Sequence, residues 1–129
     1  MFRITIPRLP SPGLNPNRVS RAGNLWFAYA KAKREDGDTA LLCARQSRLP
    51  KSMPWQSVAI RVHFVLPYVK SVRVRDWDNL IASCKGFWDG LVQAGVLADD
   101  NMGVVKRLAF THEYKQGREA ATIFEIEEI

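Results

Sequence analysis

From Gln56 to Leu66 the chain alternates cleanly, placing Val58, Ile60, Val62, Phe64 and Leu66 on one side. A period of two over that length specifies a strand with one apolar face. Three further stretches read as strands: Phe2 to Pro7, Val104 to Tyr114 and Ala121 to Ile129, with Lys115-Gln-Gly-Arg118 as the turn between the last two. Between the first strand and residue 24 lies a loop, Arg8 to Gly23, which carries three of the seven prolines together with Arg18 and Arg21. From Asn24 onward Leu25, Trp26, Tyr29, Ala30 and Ala32 recur at helical spacing, with Lys31, Lys33 and Arg34 on the other side. Asp36-Gly37-Asp38 either breaks this helix or lies within one that continues to about Arg45, since an interior glycine costs only about 1 kcal/mol.

A second helix is expected over Asn79 to about Ala94. At 100° per residue, Leu80, Ile81, Cys84, Phe87, Trp88, Leu91 and Val92 share one face. Lys85 and Asp89 fall within about 20° of Asp78 on the opposite face. Asp78 is placed as the N-cap and Gly95 as the residue that ends the helix. The expected architecture is an α/β (α+β) fold: a mixed sheet of about four strands with two main helices on one face. Residues 1–129 make one domain, long enough to bury a core.

Charge is distributed unevenly over this scaffold. The chain carries a net charge of +6, which favours nucleic acid or another anionic partner. Residues 39–75 hold seven Lys or Arg and no acid, whereas all five aspartates beyond position 38 fall between Asp76 and Asp100. Crowded carboxylates resist joint ionisation unless a cation sits among them, and hard oxygen donors suit Mg²⁺ or Mn²⁺. If the backbone through Asp76-Trp77-Asp78 is extended, the two carboxylates project to one side and converge on one ion, with Trp77 directed elsewhere. A capping Asp and a Lys85–Asp89 surface pair would equally explain part of the pattern without any ligand. His63 and His112 sit inside strand patterns and read as structural. Cys43 and Cys84 are too few to staple a secreted domain and read as buried, reduced thiols of a cytoplasmic protein. No apolar run approaches the ~18 residues a membrane span needs, and the first residues read as a strand rather than a signal peptide.

Asp76-Trp-Asp78-Asn79-Leu80, a later lysine, then Asp89-Gly-Leu91, Gly95-Val96 and Asp99-Asp100 resemble the RusA-type Holliday-junction resolvases, small dimeric metal-dependent endonucleases found mostly in phages and prophages. The run Leu9-Pro-Ser-Pro-Gly-Leu-Asn15-Pro-Asn17-Arg18 is similar to that family's Pro-rich loop after the first strand. The resemblance implies Mg²⁺ or Mn²⁺ ligands at Asp76, Asp78 and Asp100 and a catalytic or DNA-contacting lysine at Lys85. It further implies DNA contacts at Asn15, Asn17, Arg18, Arg73, Arg75 and Asn79, and a homodimer acting on branched, four-way DNA. The interval from Asn79 to Lys85 is longer than in the best-known members by about one helical turn, and Val72 and Val74 dilute the basic run before Asp76.

The expected activity is therefore a Mg²⁺-dependent endodeoxyribonuclease that resolves four-way junctions by paired cuts. Two alternatives stand beside it: a nuclease acting on flap or other branched DNA, and a catalytically silent DNA-binding protein whose acidic motif only caps a helix. An aromatic strand motif of the kind that stacks RNA bases is missing from the sequence. One geometric difficulty is visible in advance. A helix over Asn79 to Ala94 is roughly 24 Å long at 1.5 Å per residue, which separates Asp78 from Asp100 unless the following loop folds back or a partner chain supplies a ligand.

Overall fold

The computed structural model describes residues 1–14, 25–68 and 76–129. In chain order the elements are β1 (Phe2–Ile6), a 3-10 turn (Pro12–Leu14), α1 (Leu25–Gln46), β2 (Val58–Leu66), α2 (Trp77–Ala82), α3 (Lys85–Gln93), β3 (Val105–Tyr114) and β4 (Ala121–Glu128). The four strands form one mixed sheet in the order β1-β4-β2-β3. β4 runs antiparallel to both β1 and β2, while β2 and β3 are parallel. Parallel neighbours need a crossover connection, and the segment carrying α2 and α3 provides it. The last two strands are consecutive yet do not pair, because β2 lies between them. The link Lys115–Arg118 instead crosses the end of β2, where the Lys115 N–H bonds to the Leu66 carbonyl at 2.9 Å.

The alternation of β2 sets the layering. Val58, Ile60, Val62 and Phe64 are buried, and so are Ile4, Ile6, Phe124 and Ile126 from the flanking strands. Ile4, Phe124, Val62 and Phe110 are cross-strand partners in one row. Phe87 and Leu91 of α3 and Ala40 and Ala44 of α1 close over this face, with the Phe87 and Trp88 rings edge-on to Phe124 at 6.4 and 5.1 Å. The helical cover is thus on one side, as the patterning required.

Helix α1 runs unbroken through Asp36-Gly37-Asp38, and its buried stripe differs from the one the spacing suggested. Trp26 and Phe27 are exposed, whereas Asp36, Gly37, Ala40 and Ala44 face inward. Small residues are needed there because α1 and α3 nearly touch: a Cβ added at Gly90 would lie 2.3 Å from the Gly37 carbonyl oxygen, and one at Gly86 would lie 2.8 Å from the Lys33 carbonyl oxygen. Close packing along this seam offsets the helix-propensity cost of the glycines.

Asp36 is fully buried and satisfied from the N-terminal segment. It accepts bonds from the Ser11 N–H at 2.9 Å and the Ser11 hydroxyl, and pairs with the Arg8 guanidinium at 2.6 Å. Removing one member of a buried pair strands the other, so Asp36→Ala should cost about 2–3 kcal/mol, moderated because Arg8 retains some solvent contact. Urea unfolding should show a lower midpoint at unchanged slope. A loss below about 0.5 kcal/mol would show that this cluster does not tie the N-terminus to α1.

Among the described residues no helix covers the opposite sheet face. Glu125 is nonetheless only 6% exposed, since Arg3 and Arg61 lie over it at 2.9 and 2.7 Å. Hydrogen bonds from Arg3 first, then Arg61, hold its carboxyl below the ordinary glutamate value. A depressed folded-state pKa stabilises the fold above the unfolded-state value, and that stability is lost as pH falls through the folded-state value. Glu125→Gln should accordingly lower the melting temperature near neutral pH, and the gap from wild type should close below about pH 4. A gap independent of pH would contradict this assignment.

Both cysteines are free thiols; Cys84 is buried and Cys43 only half-buried, at variance with the expectation that both lie inside. Burial, and secondarily the Asp36 charge, pushes Cys84 up to about 12, so it stays protonated. Among the described residues no helix is long and apolar enough to cross a membrane.

Candidate active site

The helix expected over Asn79 to Ala94 is divided. The α2 helix ends at Ala82 and α3 begins at Lys85. Local hydrogen bonds explain the interruption: the Ser83 hydroxyl donates to the Asn79 carbonyl at 2.6 Å, and the Cys84 backbone N–H reaches the Ile81 carbonyl rather than that of Leu80, tightening the turn. At the far end, Gly95 adopts φ +82, with Gly95 N–H bonded to Val92 and Val96 N–H to Leu91. Those two bonds form a Schellman stop, as the sequence placed it.

At the N-terminus the cap is Asp76, two residues earlier than expected, and its side chain makes no capping bond. Asp78 lies inside the first turn, where a carboxylate is favoured by the helix dipole. The backbone is extended at Asp76 but helical from Trp77, so the two carboxylates are not displayed along one extended strand. Both residues are exposed, and neither bonds to another described residue through its side chain. Trp77 packs toward the sheet, 4.9 Å from His112 and 6.2 Å from Phe64 between ring centroids, and keeps 39% exposure. Asn79 is half-buried on the same turn.

Asp100 is brought back to the start of α3. Its Oδ2 accepts from Lys85 Nζ at 3.0 Å across fifteen positions of sequence, so the loop after α3 folds back along the helix. That bond from Lys85 is the main cause lowering the Asp100 carboxyl below its ordinary value, and the same bond raises Lys85. Asp99 is committed to the loop itself: one oxygen accepts from Asp100 N–H at 2.7 Å, the other from the Asn101 amide at 3.0 Å. Of the two neighbours, Asp100 is therefore the one directed at Lys85. An open notch of about 340 Å³, walled in part by Trp88, Met102 and Leu108, borders Asp100 and Lys106.

The donors fit a hard divalent cation in kind, being carboxylate oxygens without a thiolate. Their arrangement is looser: among the described residues no group of three or more His, Cys, Asp or Glu side chains is gathered to hold an ion. The structure thus joins Lys85 to Asp100 and leaves Asp76 and Asp78 at the start of α2 without joining them to that pair. Asn15, Asn17, Arg18, Arg73 and Arg75 lie outside the described residues.

The sequence pattern marks Asp89 only as a surface partner of Lys85. It contacts Lys85 Nζ at 3.1 Å and, with its other oxygen, Lys33 Nζ of α1 at 3.4 Å. The spacing of Lys85 and Asp89 announced the first contact, whereas the second arises from tertiary packing and has no local signal. His63 bonds Thr111 at 2.7 Å and faces Glu113, while His112 sits between Trp77 and Tyr114 rings.

No family model matches this chain, and no curated protein matches it.

Proposed function

We propose that the protein is a metal-dependent endodeoxyribonuclease that resolves four-way DNA junctions as a homodimer. The observation carrying this reading is the Lys85–Asp100 contact of 3.0 Å, which sets a cation against a carboxylate from a distant loop. Juxtaposition of these two residues is what the resemblance to RusA-type resolvases calls for. It also brings Asp100 back to the start of α3, rather than leaving it at that helix's far end.

Asp76, Asp78 and Asp100 would hold Mg²⁺ or Mn²⁺, which when bound supplies an activated water and withdraws charge from the phosphate. Lys85 adds a fixed positive charge at the scissile group, where negative charge grows on the phosphoryl oxygens. Arg18, Arg73 and Arg75, with Asn15, Asn17 and Asn79, bind the DNA backbone on either side. The net charge of +6 supports a polyanionic substrate. A two-fold dimer presents paired sites to the symmetry-related strands of a junction.

A comparison of labelled four-way, three-way, flap and linear duplex DNA in Mg²⁺ tests the substrate. Preferential paired incision of the four-way substrate is expected. Equal or better cutting of flaps would move the assignment to the alternative nuclease, and tight binding without cutting would leave a silent DNA-binding protein.

A further inference from the structure

We propose that Asp89 is a positioning residue, which holds the Lys85 ammonium against Asp100 and is itself oriented from α1 by Lys33. This inference rests on the nuclease reading for its catalytic consequence, but the positioning can be tested apart from catalysis.

The geometry forms a chain of four charges. Lys33 Nζ lies 3.4 Å from Asp89 Oδ2, Lys85 Nζ lies 3.1 Å from Asp89 Oδ1, and the same ammonium lies 3.0 Å from Asp100 Oδ2. Each oxygen of Asp89 thus engages a different lysine, on a different helix. Lys85 is placed between two carboxylates, which fixes a flexible four-carbon side chain at its tip. The Asp100 loop is held in turn by Asp99, which bonds the Asp100 N–H and Asn101.

The helix seam explains why Lys33 is within reach. Gly86 follows Lys85, and Gly90 follows Asp89, one helical turn apart. A Cβ on Gly86 would meet the Lys33 Cα at 3.3 Å and the Asp36 Cβ at 2.6 Å. The absence of side chains at these two positions brings the α1 backbone beside the very turn that carries Lys85 and Asp89. Lys33, Lys85 and Asp89 are each about 40% exposed, so the pairs contribute little to stability. Their arrangement matters for where an ammonium is held.

Asp89→Asn keeps the size of the side chain and removes its charge. Single-turnover junction cleavage should fall about tenfold, with junction affinity held and the melting temperature within about 2 °C of wild type. Asp89→Glu should recover part of the rate. In a Lys85→Ala background the same Asp89→Asn change should alter the rate less than about twofold, because its effect acts through the missing lysine. An independent readout is NMR of the Lys85 side chain in the DNA-free protein: restricted Nζ motion in wild type, and free motion in Asp89→Asn. Cleavage unchanged by Asp89→Asn, or an equal loss with and without Lys85, would overturn the proposal. So would a Lys85 ammonium as ordered in Asp89→Asn as in wild type. Failure of wild type to cut DNA would instead remove the nuclease reading and the catalytic consequence, while the NMR comparison still decides whether Asp89 positions Lys85.

Discussion

Asp76→Asn and Asp78→Asn are each expected to reduce Mg²⁺-dependent junction cleavage by at least about a hundredfold while leaving junction binding intact or tighter. Binding and cutting separate because affinity is assigned to Lys and Arg, and these aspartates are assigned to the ion. Asn preserves size and some hydrogen bonding but not the charge that attracts a divalent cation. Neither change should unfold the protein. Asp76 makes no capping bond, Asn is itself a favoured N-cap residue, and the first-turn charge of Asp78 is worth under about 1 kcal/mol. Asp100→Asn should have a comparable effect on cleavage, with an additional change at Lys85, its partner at 3.0 Å. Cleavage at wild-type rates by both Asp76→Asn and Asp78→Asn would leave the acidic motif as a helix start and nothing more.

The largest expected effect on stability is at Gly90. An added methyl would meet the Gly37 carbonyl oxygen at 2.3 Å and the Ala40 Cβ at 2.8 Å, and backbone cannot swing aside as a flexible side chain can. Gly90→Ala should therefore cost about 3 kcal/mol and lower the melting temperature by roughly 10 °C, despite alanine's higher helix propensity. Gly37→Ala is the matched control. Its Cβ would sit 3.5 Å from the Gly86 carbonyl oxygen, an ordinary contact, so it should be neutral or stabilising by up to about 1 kcal/mol. Equal melting temperatures for the two variants would contradict the close α1–α3 approach on which the Lys33–Asp89 contact depends.

The strands and the single covered sheet face were legible because they rest on local periodicity: Val58 to Leu66 shows it within one strand. Gly95 was legible as a stop because only a residue tolerant of positive φ suits that position. Strand order was not legible, since Lys115–Arg118 joins β3 to β4 whether or not they pair. Helix limits failed where side chains compete with the backbone, as Ser83 does with its bond to Asn79. The inward stripe of α1 failed for a different reason. Hydrophobicity pointed to Trp26, but close helix packing selects small residues, Gly37, Ala40 and Ala44, and tolerates Asp36 because Arg8 and Ser11 satisfy it. In the candidate site, charge clustering was visible in sequence, and the pairing of Lys85 with Asp100 was not, because it depends on the return of a loop.

The most direct measurement is incubation of wild-type protein with a labelled four-way junction, in Mg²⁺ and in chelator. Paired incisions across the junction in Mg²⁺, and intact but bound junction in chelator, are predicted. A junction that is bound yet stays uncut with either Mg²⁺ or Mn²⁺ would contradict the assignment of Asp76, Asp78, Asp100 and Lys85 to a metal-dependent nuclease site.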